Sequence, residues 1–202
     1  MNILIITPML KEYHSARETF SAKEISIPSG FRISQFLIHG DSFYILLCLK
    51  QVNEALDQFS ESFGIPDLLI DSGSCGSLNN SIHLGDIVHG IIFKNEESEG
   101  QSDFLETSFH DAKVPDVCIL EVYQGVLSDF QKSLLQNQAD VCNMESYRIF
   151  EKSLLWKCEF LSIRIVTDLA NDQGISEFKK NIRPYCMKLY AYLKDFLMNI
   201  SH

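Results

Sequence analysis

The chain is short of positive charge. Its 17 lysines and arginines stand against 27 aspartates and glutamates, a formal net charge of −10. That balance argues against a nucleic-acid backbone or an anionic membrane surface as the main partner. Paired cysteines are also missing: Cys48, Cys75, Cys118, Cys142, Cys158 and Cys186 are scattered, with no C-x-x-C. A disulfide framework is therefore not expected, and a zinc site has no supporting spacing. Several of these cysteines lie in apolar, strand-like runs, where a reduced thiol is a small buried hydrophobe. No apolar run is long enough to span a bilayer. Met1-Asn2 leads straight into a short strand, with no basic n-region or cleavage site. The expectation is a cytoplasmic, soluble protein. At 202 residues, 46% of them apolar, the chain suits one domain over residues 1–202 with a sizeable core.

What is present alternates between strand and helix patterns. Residues 3–6 are a continuous apolar run ended by Thr7-Pro8, which reads as a central parallel strand covered on both faces. Leu10, Tyr13, Arg17 and Phe20 recur at helical spacing and predict an amphipathic helix over 9–20. Strands are expected at 25–27, 31–39 and 43–50, with turns at Pro28-Ser29-Gly30 and Gly40-Asp41-Ser42. Three strands in succession imply an antiparallel meander on an otherwise parallel sheet. A helix is expected at 52–63, with Val52, Leu56, Phe59 and Phe63 on one face. Residues 66–78 read as an apolar strand feeding a small-residue loop, and 84–88 as a turn into a strand that runs to Phe93. Residues 95–101 are polar and acidic, a surface loop. Residues 103–115 are poorly patterned, with His110 facing solvent. Residues 117–125 are mixed, with a strand expected at 122–127. A helical stretch follows 141–145 and reaches Leu155. Residues 160–166 form a buried strand. In the closing helix at 178–200, Ile182, Tyr185, Leu189, Tyr192 and Phe196 make a stripe that packs on the sheet. The class is α/β with a mixed central sheet.

The strand at 160–166 breaks into Thr167-Asp168, which puts an acid at its carboxyl end. Open α/β sheets bind ligands there. Spacing alone favours a helix cap, since Thr and Asp both cap well and 175–180 can begin a helix. Arg164, four positions upstream in the same strand, changes that balance, because a strand-borne arginine so close to an acid needs a buried partner or a ligand. Glu12 lies in the first turn of the first helix, where complementing the macrodipole accounts for it on its own. The glycines of 71–78 let backbone N–H groups approach a ligand, although many such loops are only tight turns.

Three motifs stand in order: PDLLIDSGSCGSLNNSIHLGDIV at 66–88, Asn143-Met144-Glu145-Ser146, and RIVTDLAND at 164–172. Together they resemble the nucleoside phosphorylase/nucleosidase superfamily. Within it, the chain is similar to the nucleosidases that split methylthioadenosine and adenosylhomocysteine, and to the futalosine hydrolases. The resemblance spans the whole chain at low identity. It implies a three-layer fold with a twisted mixed central β-sheet flanked by helices, usually a homodimer. It also implies a purine nucleoside as the small-molecule partner, with no metal and no organic cofactor.

Position by position, the resemblance assigns Asp168 as the general acid that protonates purine N7. It assigns Glu12 as the acid that activates the attacking water, and Glu145 as the carboxylate that chelates two ribose hydroxyls. Met144 is assigned to packing on the sugar, and Arg164 and Ser74 to holding the water near Glu12. Phe130 is either the aromatic that stacks on the purine or a core residue. With the motifs in order, catalysis outweighs the cap and dipole readings of Asp168, Glu12 and Glu145.

The chain also departs from the family's pattern. Asn143 stands where an acid is common. The Gly-x-Gly-Lys turn becomes Leu49-Lys50-Gln51-Val52-Asn53, without glycine, and the segment between Gly125 and Asn143 is short. These departures leave room for a nucleoside-binding protein without catalysis. A phosphorylase ranks lower, because Glu12 would oppose a phosphate dianion. Hydrolysis is expected. Thr7-Pro8 and the compact chain lean toward the futalosine hydrolases of menaquinone synthesis, while the motifs fit both subfamilies.

Overall fold

The computed structural model describes residues 1–27, 30–96, 103–104 and 113–200, without side chains at 103, 104 and 200. The expected turn at Pro28-Ser29, the loop beyond Glu96 and the stretch around His110 fall outside these residues. The described elements are, in order, β1 (Asn2–Thr7), α1 (Leu10–Phe20), β2 (Lys23–Ile25), β3 (Arg32–Ile38), β4 (Asp41–Leu47), α2 (Val52–Phe63), β5 (Leu68–Ser77), β6 (Ile87–Asn95), β7 (Asp103–Phe104), β8 (Asp116–Glu121), α3 (Asp129–Leu135), β9 (Val141–Asn143), α4 (Ser146–Trp156), β10 (Glu159–Asp168) and α5 (Gly174–Ile200).

The alternation of side chains across β1 sets the three layers. Leu4 and Ile6 pack on one face with Val52, Leu56 and Phe59 of α2 and with Ile149 and Phe150 of α4. Ile3 and Ile5 pack on the other with Tyr13 and Ala16 of α1 and with Ile182, Leu189 and Leu193 of α5. All four β1 side chains are fully buried, as a parallel strand covered on both faces requires. A smaller cluster, including Leu78, Leu120, Val122, Val126 and Ala170, lies beyond the carboxyl end of β5.

Among the described residues ten strands form one mixed sheet, in the order β10-β6-β8-β9-β5-β1-β4-β3-β2, with β7 on β6. β10 also pairs with β5, so β5, β10, β6, β8 and β9 close into a ring at one end. The parallel set β4, β1, β5, β10 brings four carboxyl ends to the same side. The predicted meander is present as antiparallel β2-β3-β4. Its second turn is tighter than the sequence suggests: His39 and Gly40 both have positive φ, at 50° and 92°, and β4 already begins at Asp41. The turn after β4, which lacks the expected glycine, holds Leu49 at φ 49°.

The strand expected at 122–127 does not form. Val122 N–H still reaches Asn143 O at 2.8 Å, but β9 ends there and the chain turns into α4. With no neighbour left to pair with, residues 123–127 leave the sheet and lead to α3, whose first turn Ser128 caps through Gln131 N–H. No helix among the described residues is long and apolar enough to cross a membrane.

Candidate active site

β5 changes neighbours half-way along one edge. It pairs with β1 as far as Asp71, opposite Ile6, and with β9 from Gly76, opposite Cys142. Residues 72–75 have no strand on that edge, so their polar groups need other partners. Ser72 Oγ donates to Ile6 O at 2.9 Å. Glu12 supplies the rest: its Oε1 accepts from Ser74 N–H at 2.8 Å and from Ser74 Oγ at 2.7 Å, while Oε2 accepts from Met9 N–H at 2.9 Å. The Met9 bond closes the start of α1, as a dipole-complementing acid would. The Ser74 bonds carry the same carboxylate over the carboxyl ends of the strands.

Two glycines of β5 make the approach possible. At Gly73, φ is +150° and a Cβ would stand 2.8 Å from Glu12 Oε1 and 3.0 Å from Arg164 Nη1. At Gly76 a Cβ would stand 2.8 Å from Asp168 Oδ1. Each glycine therefore clears the space for one acid.

Asp168 is aimed by an irregularity in β10. Val166 faces Cys75 and Asp168 faces Gly76, so Thr167 is an extra residue in the register. A bulge of this kind re-aims the next side chain. Asp168 Oδ1 accepts from Ala170 N–H at 3.0 Å, and Oδ2 lies 3.1 Å from the Thr167 hydroxyl. Asp168 does not cap the closing helix, which starts at Gly174. The Leu169 N–H between them is taken by Glu177 Oε2 at 2.9 Å.

Glu145 precedes the first residue of α4 on a turn held from two sides. Asn143 Oδ1 accepts from Glu145 N–H at 3.3 Å and Ser146 N–H at 3.2 Å, doing the work of a cap for α4. Arg148 donates from Nε to buried Glu121 at 2.6 Å and from Nη2 to Met144 O, clamping the turn to the end of β8. Glu145 itself accepts from Met144 N–H at 3.2 Å.

Arg164 is completely buried, and its partner is Asp71 on the neighbouring strand. Nε donates to Asp71 Oδ2 at 3.1 Å, Nη2 donates to Oδ1, and Nη1 points to Ser74 O at 3.4 Å. Asp71 Oδ2 also accepts from Ser162 Oγ at 2.8 Å and Ser146 Oγ at 2.5 Å, and Asn143 Nδ2 donates to Ser146 Oγ.

These elements surround a cavity of about 300 Å³ lined by Glu12, Ser74, Met144, Glu145 and Asp168. Its remaining wall is largely apolar and includes Met9, Val126, Ile175 and Phe178. Burial is the leading influence on all three acids. It pushes Asp168 up to about 6 against the Ala170 N–H and the Thr167 hydroxyl. It pushes Glu145 up to about 7 against Arg164, with Glu12 and Asp71 adding to the rise. Glu12 is raised as well, opposed by Ser74, Arg164 and the Met9 N–H. The two cysteines on the wall are held as thiols by burial, Cys142 pushed up to about 12 and Cys75 well above its usual value.

Of the residues singled out in the sequence, Glu12, Ser74, Met144, Glu145 and Asp168 meet at this cavity. Arg164 lies behind Glu12, on no part of the lining. Phe130 does not belong to the site: it sits in the first turn of α3, 72% exposed and away from the lining. It is no core residue either, because α3 buries none of its side chains. The aromatic on the cavity wall is Phe178, whose signal was its position four residues before Ile182 on the same helical face. Asp71 was also passed over, although an acid closing the apolar run LLI beside a strand carrying Arg164 is the expected place for a buried partner.

No family model matches this chain. A curated 5′-methylthioadenosine/S-adenosylhomocysteine nucleosidase of Buchnera aphidicola subsp. Schizaphis graminum is 26% identical over an aligned length of 235, covering 100% of this chain and 98% of the relative. Among solved structures, the 5′-methylthioadenosine/S-adenosylhomocysteine nucleosidase of S. pneumoniae superposes with a TM-score of 0.87 at 17% identity, over 98% of this chain and 99% of that one. Futalosine hydrolase of Helicobacter pylori superposes with a TM-score of 0.84 at 16% identity, over 98% and 97% of the two chains. The chain thus has the nucleoside phosphorylase/nucleosidase fold and resembles, over its whole length, the methylthioadenosine/adenosylhomocysteine nucleosidases and the futalosine hydrolases.

Proposed function

We propose that this protein hydrolyses the N-glycosidic bond of a 5′-substituted purine nucleoside and releases the free base. The observation that carries the reading is the convergence of three acids, Glu12, Glu145 and Asp168, from three separate elements on one largely apolar cavity. Breaking the bond builds positive charge on the sugar and negative charge on the departing purine. Asp168, raised to about 6, holds a proton for purine N7. Glu12, fixed by Ser74, accepts a proton from the attacking water. Each such group typically contributes ~10²–10⁴-fold. Glu145 accepts from the two ribose hydroxyls and stabilises the cationic sugar, and Met144 packs against it. Ser74 holds Glu12 in place, and the Arg164 charge behind it favours the ionised form. The chemistry parallels two-carboxylate glycoside hydrolysis.

Glu12 also bears on the choice between water and phosphate. It occupies the turn where a phosphate would bind, and like charge there opposes a dianion. The relatives' names support a substrate among methylthioadenosine, adenosylhomocysteine and futalosine. We place the protein in the cytoplasm as a homodimer. The first assignment is supported by six free thiols, the second by the family resemblance, and gel filtration at micromolar concentration tests the second.

The deciding experiment is base release without phosphate from methylthioadenosine, adenosylhomocysteine, futalosine and aminodeoxyfutalosine in parallel. Adenine from the thio-substrates assigns the protein to sulfur salvage. Hypoxanthine from futalosine, or adenine from its amino analogue alone, assigns it to menaquinone synthesis. Turnover that requires phosphate and yields ribose 1-phosphate, or silence on all four, rejects the proposal.

A further inference from the structure

The two halves of the site are joined underneath by one buried acid. Asp71 is completely buried and accepts from three side chains on two other elements. Arg164 and Ser162 reach it from β10, and Ser146 reaches it from the start of α4. Through Ser146 it connects to Asn143, whose Oδ1 in turn holds Glu145 N–H and Ser146 N–H. Through Arg164 it connects to the Glu12 half. The fork matters here: Nε and Nη2 both face Asp71, so only Nη1 is turned toward Ser74 O and the space beside Gly73 where Glu12 lies.

We propose that Asp71 is the positioning residue of this site: it binds the Arg164 guanidinium in a fork that keeps it off Glu12 and, through Ser146, pins the turn that carries Glu145. The inference rests on the hydrolase reading for its consequences in catalysis, and on the hydrogen-bond geometry alone for its existence. Without the Asp71 charge, a full buried positive charge faces Glu12 and Glu145 with no other anion to share it, and both carboxylates then give up their protons more readily. The other titratable groups facing the cluster do not take over. The Tyr190 phenol on α5 and the thiols of Cys186 on α5, Cys75 on β5 and Cys48 after β4 are all raised by burial and stay neutral.

The test reads carboxyl titration directly, so it does not depend on turnover. Protein labelled at the glutamate δ-carbons is titrated by 13C NMR, with Glu12 and Glu145 assigned through Glu12→Gln and Glu145→Gln. In Asp71→Asn both are expected to titrate lower by about one pH unit, the smaller end of what an opposite charge at contact range does. A folded Asp71→Asn protein in which neither moves overturns the proposal, whatever its stability, because a merely structural role changes the unfolding midpoint and leaves the titrations where they were. Should Asp71→Asn fail to fold, the paired variant Asp71→Asn with Asn143→Asp returns a negative charge to the same network across Ser146. It is expected to fold, and its failure to do so overturns the proposal. Base release by the unaltered protein is measured alongside. Silence there rejects the hydrolase reading and leaves the titrations to decide on Asp71.

Discussion

Replacing Asp168 by asparagine should make the protein more stable and nearly inactive, and the gain should depend on pH. The site is built to accept the exchange. Oδ1 keeps its bond from Ala170 N–H, and the Thr167 hydroxyl that faces Oδ2 lies 3.3 Å from Cys75 O. Its proton can turn to that carbonyl, which leaves a lone pair for an amide donor at position 168. What the exchange removes is the charge. In the folded protein Asp168 has risen from its ordinary 3.8 to about 6, chiefly through burial. A raised folded value means that stability is lost as pH climbs from 3.8 through about 6, and that the full cost is carried above it. The cost amounts to ~3 kcal/mol at about pH 8 and ~1 kcal/mol at about pH 4.5. Urea unfolding of both proteins at the two pH values measures it. The asparagine variant should be more stable at the higher pH by most of that amount and much closer to the parent at the lower. Base release should fall by ~10²-fold or more. A stability gap that is flat with pH, or that favours the parent at high pH, would refute the claim that burial raises Asp168 to about 6.

Gly76→Ala should cost ~10²-fold in turnover, because its Cβ would displace the Asp168 carboxylate from 2.8 Å and 1 Å errors in placement carry penalties of that size. The same change should lower stability by ~1–3 kcal/mol through overpacking, read by urea unfolding. The pH profile of kcat/KM should be bell-shaped, rising to a break at about 6 and falling beyond about 7, the Asp168 and Glu145 values, with its maximum between them. Phe178→Ala should raise KM by about tenfold through lost apolar contact on the cavity wall, whereas Phe130→Ala, altering a side chain 72% exposed on α3, should change KM by less than about twofold.

The parts of this protein legible in the sequence are those whose signal is local. β1 announces itself in Ile3–Leu4–Ile5–Ile6 because a strand covered on both faces has no polar position to offer. α2 shows its apolar face at helical spacing, and it lies where that spacing places it. Glu12 stands in the first turn of the helix after β1 and Asp168 at the end of β10, places that sequence can locate. The misses are failures of partnership. Residues 122–127 have the composition of a strand and no neighbour to pair with, since β9 lasts three residues. β9 itself is too short to show a period. Phe130 looks like a core or stacking aromatic, yet α3 is a surface helix that buries nothing. Asp71 was visible as a residue, but its meaning lies in Ser146 and Arg164, respectively 75 and 93 positions away along the chain.

Three buried acids around one cavity would be interchangeable if burial were all that acted on them, and their surroundings separate them. Glu12 accepts from two N–H groups and a hydroxyl, with Arg164 close behind. Those partners all favour the ionised form, which a base requires. Asp168 accepts from one N–H and faces one hydroxyl that can reverse its direction, and none of the buried guanidinium's contacts reach it. Its wall tolerates the neutral form, which a proton donor requires. Glu145, raised to about 7 by burial, with Glu12 and Asp71 adding to the rise against the pull of Arg164, holds its proton more tightly than Asp168 does. The division of labour is thus set less by the acids than by where β5 loses its neighbour. The unpaired edge at 72–75 draws Glu12 onto Ser74, and Gly76 leaves Asp168 facing a groove of apolar side chains and neutral thiols. A nucleoside whose sugar faces Glu12 and Glu145 while its base lies toward Asp168 would bring the departing purine to the acid whose wall tolerates a proton and the attacking water to the acid whose partners favour charge, while Glu145, raised to about 7, has to give up its proton for the sugar step.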